Sequence, residues 1–298
     1  MSPLAHGAAP AWATAWGEDR HGVFAAFTVA GVTQRLRWVP PGQFVMGSPE
    51  VEVGRWDDEG PQHEVVLTQG YWLGETPVTQ ALWAVVMGSN PSRFESADRP
   101  VEMVSWDDCE AFVEELNARV VGLDVRLPTE AEWERACRGG TQTATWVGDL
   151  KLEDPGQVRS ATLDAIAWYG GNSGGTTHPV GEKAANPFGL LDMLGNVQEW
   201  CADCYGAYNA NSTIDPMNPT QSPYRVLRGG SWSGDARSVR AASRESYISG
   251  NRFDFIGFRL ASSPSALRQV EPGEAPRGGP RGGVAARRSG AEGSGRRE

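Results

Sequence analysis

The feature that most constrains this chain is its second half, where residues 140–260 lack the apolar spacing of any helix longer than two turns. Glycine, proline and asparagine interrupt this stretch repeatedly, which is typical of loops joined by brief strands. The whole chain contains 37 glycines and 20 prolines among 298 residues, which is above the usual share. A helix bundle is therefore disfavoured, and the second half must be organised by contacts other than regular backbone hydrogen bonding.

The first half of the chain carries the patterns of short strands. Apolar residues alternate over 23–29 and recur over 32–39, and Gly31 lies between the two segments, which predicts a β-hairpin. Segments 44–48 and 63–67 are predicted to form two further strands on either side of a polar loop. A small sheet is therefore expected in this half.

Three helices are predicted in the same half from their capping residues. One begins at Thr79, and a second begins after Ser105, where Asp108 can complete a capping box. A third, shorter helix begins after Thr129, with Glu132 in the matching position.

Net charge is unevenly distributed along the chain. The whole sequence carries −10, but the segment from Pro264 to the end contains seven arginines and four glutamates, which leaves −13 on the rest. An acidic body repels phosphate backbones, so the folded part is not expected to bind nucleic acid. We predict a flexible segment at 1–15, one domain at 16–263, and a disordered tail rich in glycine, arginine and proline at 264–298.

Apolar runs in the sequence are too short for a membrane span. A representative run, residues 165–169, is far below the roughly 20 residues needed to cross a bilayer. Residues 1–10 lack the basic start and the apolar stretch of a secretory signal. The expected location of the protein is therefore the cytoplasm.

Several short strings occur in an order that is diagnostic of one family. They are Phe44–Ser48, Glu75–Thr79, Val104–Trp106, Arg126–Glu134, Gly195–Val197, Arg228–Trp232 and Gly257–Arg259. On these strings the chain resembles the formylglycine-generating enzyme / sulfatase-modifying factor domain family over about residues 35–262. The resemblance implies an α+β fold of the elaborated C-type-lectin-like kind, with a small twisted sheet, a few helices and much loop.

Arginines alternate with apolar residues in two of these strings, at Arg126 and Arg259. Such side chains bury their stems and pair their guanidinium groups with carboxylates, and Glu132 and Glu199 are the expected partners. Structural networks of arginine, glutamate and tryptophan therefore account for most of the strings.

The resemblance implies a structural calcium ion in segment 189–199. In similar family members the ligands lie at the positions of Asp192 and Glu199, through their side chains, and of Gly195 and Val197, through their carbonyl groups. Hard oxygen ligands in a tight loop suit Ca²⁺. The alternative is a carboxylate that pairs with arginine and holds no ion.

The copper site of the family's oxidases is not expected in this chain. In similar family members two cysteines follow the Gly-Gly-Ser-aromatic string, whereas residues 231–240 contain no cysteine here. Cu(I) prefers thiolate ligands, so no copper is expected. Cys109 and Cys137 are predicted to be small buried hydrophobes. The C-x-x-C pair, Cys201 and Cys204, is predicted to be structural rather than redox-active or zinc-binding.

The segment after residue 231 resembles the display region of variable proteins diversified by retroelements, which are similar to this family. The predicted ligand-binding residues are Ser233, Gly234, Asp235, Ser238, Ser243, Tyr247, Ile248, Phe253, Asp254 and Phe255. Small polar and aromatic side chains form a recognition surface on physical grounds as well. Two alternatives stay open: an ordinary, non-diversified binding loop, and a buried core position for Tyr247, Phe253 and Phe255.

These observations favour a non-catalytic or catalytically divergent domain that binds an unknown protein or small-molecule ligand through its C-terminal face, with calcium as a structural cofactor. The alternative is a metal-dependent oxidase of the same family that acts on a protein cysteine or another thiol. A thiolate pair, or a cluster of histidines and carboxylates, in a pocket below Trp232 would favour the oxidase.

Overall fold

The computed structural model describes residues 9–152, 159–211, 213–219 and 221–264, in which many short strands accompany few helices. The strands are β1 (Ala15–Asp19), β2 (Gly22–Val29), β3 (Val32–Val39), β4 (Gly42–Met46), β5 (His63–Leu67), β6 (Tyr71–Gly74), β7 (Val125–Arg126), β8 (Gln198–Cys204), β9 (Tyr224–Arg228), β10 (Arg244–Ile248), β11 (Ile256–Gly257) and β12 (Ala261–Ser262). The helices are α1 (Gln80–Met87), α2 (Trp106–Arg119), α3 (Glu130–Arg138) and the single turn α4 (Ala161–Asp164).

Six strands form the largest sheet, in the order β1-β2-β3-β6-β12-β7, and its neighbouring strands are antiparallel. The predicted hairpin is confirmed as β2 and β3, with Ala30 and Gly31 in the left-handed region at φ of 48° and 85°. A two-residue turn with positive φ at both positions matches the twist of the flanking strands. Because β12 lies between β6 and β7, the end of the domain is inserted into the sheet that its beginning forms.

A second sheet has the order β10-β9-β8-β11 and carries the C-terminal segment. Its pairs are antiparallel except for β8 and β11, which are parallel. β10 is an edge strand of this sheet. The two further strands predicted from the sequence are confirmed as β4 and β5, which pair with each other.

All three predicted helix starts are confirmed. Thr79 caps α1 through its hydroxyl. The predicted capping boxes are both formed, by Ser105 with Asp108 at α2 and by Thr129 with Glu132 at α3. These side chains satisfy backbone N–H groups that the first turn of a helix leaves unpaired, so each start is encoded by residues close in sequence.

Buried apolar side chains form two clusters. One contains residues of the six-stranded sheet, α1 and α2, where Trp83 stacks on Phe112 with ring centroids 5.2 Å apart. Phe258 packs edge-on against both rings. The other cluster includes Trp133 of α3 and extends into the loops of the second half.

The packed body begins before the predicted domain boundary at residue 16. Trp12, within the segment predicted to be flexible, is only 5% exposed and packs edge-on against Trp72 with centroids 5.9 Å apart. Residues 1–8 and the predicted disordered tail from residue 265 onward lie outside the described residues. Within the described ranges, no helix combines the length and apolarity that a membrane crossing requires.

Buried ion pairs connect the irregular second half to the earlier elements. The expected pairing of arginines with carboxylates is confirmed within each half, where Arg126 binds Glu132 at 2.6 Å and Arg259 binds Glu199 at 2.6 Å. Three further pairs join Arg228 to Glu134, Arg240 to Glu59, and Arg244 to Glu130. Because an uncompensated buried charge is strongly unfavourable, the three buried pairs that cross between the halves hold the segments that carry Arg228, Arg240 and Arg244 in place.

Candidate ligand-binding face

Three aromatic side chains from the predicted recognition segment form one cluster, here called the aromatic trio: Tyr247, Phe253 and Phe255. The ring centroids of Tyr247 and Phe253 are 4.9 Å apart, and those of Phe253 and Phe255 are 5.1 Å apart with nearly parallel planes. All three side chains are half-buried and pack against the core that contains Phe112. The aromatic trio therefore contributes to packing and also leaves ring surface in solvent.

The loop that carries Phe253 and Phe255 is tied to α2 and β8. Arg252 binds the two carboxylate oxygens of Asp108, in the first turn of α2, at 2.6 and 2.7 Å. The carbonyl of Phe253 accepts a hydrogen bond from the N–H of Met103 at 3.0 Å, and the carbonyl of Phe255 accepts one from the start of β8 at 2.8 Å. A loop held in this way requires little further ordering when a ligand binds.

A second group lies around Trp232. Its Nε1 donates a hydrogen bond to the carbonyl of Asp254 at 2.9 Å, and its ring packs edge-on against Phe94 with centroids 5.4 Å apart. The carboxylate of Asp254 pairs with Arg93. Ser233, the next residue along the chain, is exposed. Asp254 is thus close to the predicted face, but its charge is already compensated.

Glu102 supports this second group from the interior, and the sequence analysis did not single it out. Its side chain is fully buried, and its Oε1 accepts a hydrogen bond from the N–H of Phe94 at 2.7 Å. Its Oε2 has no hydrogen-bond partner. Burial, which disfavours the charged form, raises the pKa of Glu102 to about 7.

Three other predicted positions belong to a separate turn. The carboxylate of Asp235 accepts hydrogen bonds from the N–H groups of Arg237 and Ser238, at 2.9 and 3.2 Å, and so caps a short 3-10 turn. Asp235 also pairs with the guanidinium of Arg237 at 2.7 Å. The carbonyl of Gly234 accepts a backbone hydrogen bond, and Gly234 and Ser238 are half-buried. These residues shape the turn more than they present free functional groups.

Ser243 requires a correction, because the structure places it in the interior. It is 4% exposed, and its carbonyl accepts a hydrogen bond from the guanidinium of Arg228. Ile248, by contrast, is 47% exposed at the end of β10, opposite the equally exposed Tyr224 of β9. Ser243 therefore cannot present its side chain to a ligand, whereas Ile248 can.

A groove of about 540 Å³ lies beside β10 and includes Tyr247 of the aromatic trio. Its lining residues are Trp56, Asp57, Asp58, Tyr205, Arg244, Glu245, Ser246 and Tyr247. Trp56 is 58% exposed, an unusual position for the largest apolar side chain. The hydroxyl of Tyr205 donates to Asp58 at 2.5 Å and joins the two walls. The one sequence feature that could have indicated this groove is Trp56, the single tryptophan in the acidic loop 49–62, and it was not among the predicted binding residues.

The four cysteines are all buried and none forms a disulfide. The predicted burial of Cys109 and Cys137 is confirmed, and burial raises the pKa of Cys137 to about 12. Burial also raises the pKa of Cys201 well above its ordinary value, which disfavours the thiolate. Within the described ranges, no group of three or more histidine, cysteine, aspartate or glutamate side chains is placed to hold a metal ion.

The predicted calcium loop contains one buried carboxylate oxygen that has no hydrogen-bond partner. Asp192 is 1% exposed, its Oδ2 accepts a hydrogen bond from the N–H of Gly181 at 2.7 Å, and its Oδ1 has no partner. Glu199 is already bound, through Nε1 of Trp133 at 2.6 Å and the guanidinium of Arg259. The loop thus combines both arrangements weighed from the sequence: a carboxylate paired with arginine, and a free oxygen that fits a cation. Burial raises the pKa of Asp192 to about 6, and a cation there would favour its charged form.

Comparison with known proteins shows which family this chain belongs to. Residues 24–264 match the sulfatase-modifying factor enzyme 1-like domain, and the chain belongs to that family. The formylglycine-generating enzyme of Mus musculus is 32% identical over 212 residues, which cover 67% of this chain and 53% of the mouse protein. That of Thermomonospora curvata is 32% identical over 220 residues, 68% of each chain. This chain thus spans about half the length of the mouse relative.

Solved structures show the same fold. Treponema denticola variable protein 1 is 31% identical, with a TM-score of 0.69 over 81% of this chain and 99% of that one. PvdO from Pseudomonas aeruginosa is 25% identical, with a TM-score of 0.66 over 84% of this chain and 98% of that one. The α+β, C-type-lectin-like fold implied by the resemblance is confirmed, and so is the resemblance to variable proteins.

Proposed function

We propose that this chain is a non-catalytic or catalytically divergent binding domain, and that a protein or small-molecule ligand binds to the aromatic trio and the adjoining groove. The observation that carries the proposal is the contact of Tyr247, Phe253 and Phe255 on one partly exposed surface, beside the exposed Trp56. Aromatic side chains supply large contact area for a small loss of conformational entropy, and they dominate many binding energies.

The charge of the groove narrows the class of ligand. Asp57 and Glu245 are exposed along its margin, and the body of the protein is acidic. Ligands that offer positive charge or hydrogen-bond donors next to an apolar group fit this surface, because unlike charges increase the rate of encounter and suppress wrong partners. Nucleic acid is a poor fit for the same reason.

The likeness to Treponema denticola variable protein 1 supports the proposal that these positions tolerate diversification. Tyr247, Ile248 and Ser233 present surface, while their neighbours Ser243 and Arg244 are buried. Replacement of the exposed set would leave the buried ion pairs intact. An adjacent reverse-transcriptase gene, with a near-copy of codons 225–262, would establish diversification.

The alternative proposal is a metal-dependent oxidase of the same family that acts on a protein cysteine or another thiol. It draws on the similarity to formylglycine-generating enzymes. The stretch 231–240 holds no cysteine, and Trp232 is surrounded by Phe94, Asp254 and backbone rather than by thiols. The binding proposal needs no residue that the sequence lacks, which is why we prefer it.

Calcium is proposed as a structural ion. Asp192 would bind it through Oδ1, with Glu199 and the carbonyl groups of Gly195 and Val197 as the further ligands that the resemblance implies. Its role would be to fix the loop before β8, and no chemical step depends on it.

Selection of short random peptides displayed on phage tests the binding face. Peptides enriched on the wild-type protein should bind a Trp56→Ala, Tyr247→Ala, Ile248→Ala triple variant at least about tenfold more weakly, because it removes two aromatic anchors and one exposed aliphatic side chain. A Trp16→Ala variant is the matched control, since Trp16 is an exposed aromatic residue on β1. Equal affinity of the selected peptides for the wild type and the triple variant would refute the proposed face.

A further inference from the structure

A second cavity of about 540 Å³ lies next to α3 and is distinct from the groove beside β10, although it shares Tyr205 and Arg244 with it. Its other principal lining groups are Met46, Glu130, Asp203, Tyr208 and Met217. A volume of that size lies in the range of small-molecule sites. The charged and apolar side chains of its walls decide which chemical class of ligand it can bind.

Arg244, the arginine that lines this cavity, has almost no N–H donor left for a ligand. The guanidinium of Arg244 binds both oxygens of Glu130 at 2.8 Å and also donates to the carbonyls of Asp58 and Gly206. Four of its five N–H donors are therefore occupied. The guanidinium carbon also lies over the rings of Tyr205, at 4.8 Å, and Tyr208, at 4.1 Å from their centroids. An anion would find a single donor beside two carboxylates.

The negative group, by contrast, lacks a compensating cation. Asp203 is 4% exposed, and among the described residues its hydrogen-bond donors are two backbone groups, the N–H of Glu130 and the N–H of Asn218, both at 2.8 Å. Among the described residues, no ion pair includes Asp203. Burial raises the pKa of Asp203 to about 7, and the neighbouring carboxylates of Glu130 and Glu132 on α3 contribute to the shift. A bound cation would relieve this repulsion.

We propose that this cavity binds an organic cation of the primary-amine class, with the ammonium group at Asp203 and the alkyl part against Met46, Met217 and the tyrosine rings. Aromatic walls and thioethers suit an alkyl chain that ends in a positive charge. The proposal can be tested separately from the binding face, because Asp203 and Met217 do not line that groove.

The test is titration of the full chain with n-butylammonium, with uncharged n-butanol and anionic butyrate as matched probes, followed by NMR or calorimetry. At pH 8, n-butylammonium is expected to bind saturably, whereas n-butanol and butyrate are not. Affinity should fall about tenfold at pH 6, where Asp203 is mostly protonated. Other titratable or charged side chains also line the cavity: Arg244, His63, Tyr205 and Tyr208. A His63→Gln variant should show the same fall in affinity between pH 8 and pH 6, which would assign the pH dependence to the Asp203 carboxylate and not to the His63 imidazole.

Asp203→Asn should weaken n-butylammonium binding at least about tenfold and remove its pH dependence, whereas Asp57→Asn, outside this cavity, should not. If Asp203→Asn fails to fold, Met217→Lys serves instead, because Met217 is 50% exposed and a positive charge there repels the probe. Met217→Gln, which removes the thioether without adding a charge, should weaken n-butylammonium binding by less than Met217→Lys does. Equal binding of n-butanol and n-butylammonium, or an undiminished affinity in Met217→Lys, would overturn the proposal.

Discussion

Arg259 binds Glu199 through two hydrogen bonds, Nε to Oε2 at 2.6 Å and Nη2 to Oε1 at 2.7 Å, and both side chains are completely buried. Arg259 lies between β11 and β12, close to the end of the domain, and Glu199 lies in β8. The pair therefore joins the last strands to the sheet that carries the aromatic trio.

Removal of one partner of this pair should be severely destabilising. Arg259→Leu leaves the Glu199 carboxylate buried without its cation, and losses of about 3–5 kcal/mol are typical of such changes. The exposed pair between Arg252 and Asp108 is the control, and Arg252→Leu should lower the free energy of unfolding by about 1 kcal/mol or less. Urea unfolding measures both, and similar losses in the two variants would contradict the assigned role of Arg259.

The aromatic trio should behave as half-buried surface. Phe253→Ala and Phe255→Ala are each expected to lower the free energy of unfolding by about 1–2 kcal/mol. Phe258→Ala, at a fully buried position, should cost about 3–5 kcal/mol and serves as the reference. Urea melts of the three variants distinguish the interpretations. If Phe253→Ala and Phe255→Ala cost as much as Phe258→Ala, the trio is core, and the proposed face loses its main support.

Local features of the fold were predictable from sequence because their causes are local. The capping residues Thr79, Ser105 and Thr129 satisfy N–H groups within three positions, so the helix starts follow from short motifs. The pairing of Arg126 and Arg259 with carboxylates was also predictable, because an arginine among apolar residues buries its stem and needs an anionic partner. The aromatic residues of the candidate face were identified in a different way, through the resemblance to variable proteins.

The groove and the amine cavity could not be predicted, because both depend on contacts between distant segments. Trp56 and Tyr247 line one groove because the loop after β4 is tied to the C-terminal segment, by Arg240 to Glu59 and by Arg244 of β10 to the carbonyl of Asp58. Ser243 was misplaced for a similar reason: the resemblance to variable proteins placed it among the displayed residues, but it is 4% exposed and its carbonyl is bound by Arg228 from β9. Pattern alone does not specify which of many arginines reaches which carboxylate.

The protein should not convert a cysteine to formylglycine. Incubation with a sulfatase-type peptide, with or without copper, is expected to leave the peptide mass unchanged, because no cysteine occurs in 231–240 to hold the metal. Cys201→Ser and Cys204→Ser variants accompany the assay. A formylglycine product that disappears in either variant would favour the oxidase proposal over the binding proposal.

Calcium should stabilise the fold through Asp192. At 100 times its dissociation constant, a ligand that binds only the native state adds about 2.7 kcal/mol, so chelation should lower the melting temperature. Asp192→Asn is a better test of the calcium site than a change at Glu199. Glu199 also pairs with Arg259, so removal of Glu199 would destabilise the protein for another reason.

The calcium effect should also depend on pH. Because the pKa of Asp192 is raised to about 6 in the folded protein, protons compete with the ion, and stabilisation should be larger at pH 8 than at pH 5. An unchanged melting curve on chelation and on addition of calcium at pH 8 would show that the ion does not bind.

Glu102 should make the free energy of unfolding fall as pH rises toward 8. Its pKa is raised from 4.5 to about 7 in the folded state, so the folded protein holds a proton that the unfolded chain has lost. The stability that this proton contributes is complete below about pH 4.5 and disappears as pH rises through about 7. Glu102→Gln should therefore show a flatter profile than the wild type in urea melts between pH 5 and pH 8. Glu95→Gln, at an exposed carboxylate, should leave the profile unchanged. A Glu102→Gln profile parallel to that of the wild type would show that this carboxylate is ionised in the native state despite its burial.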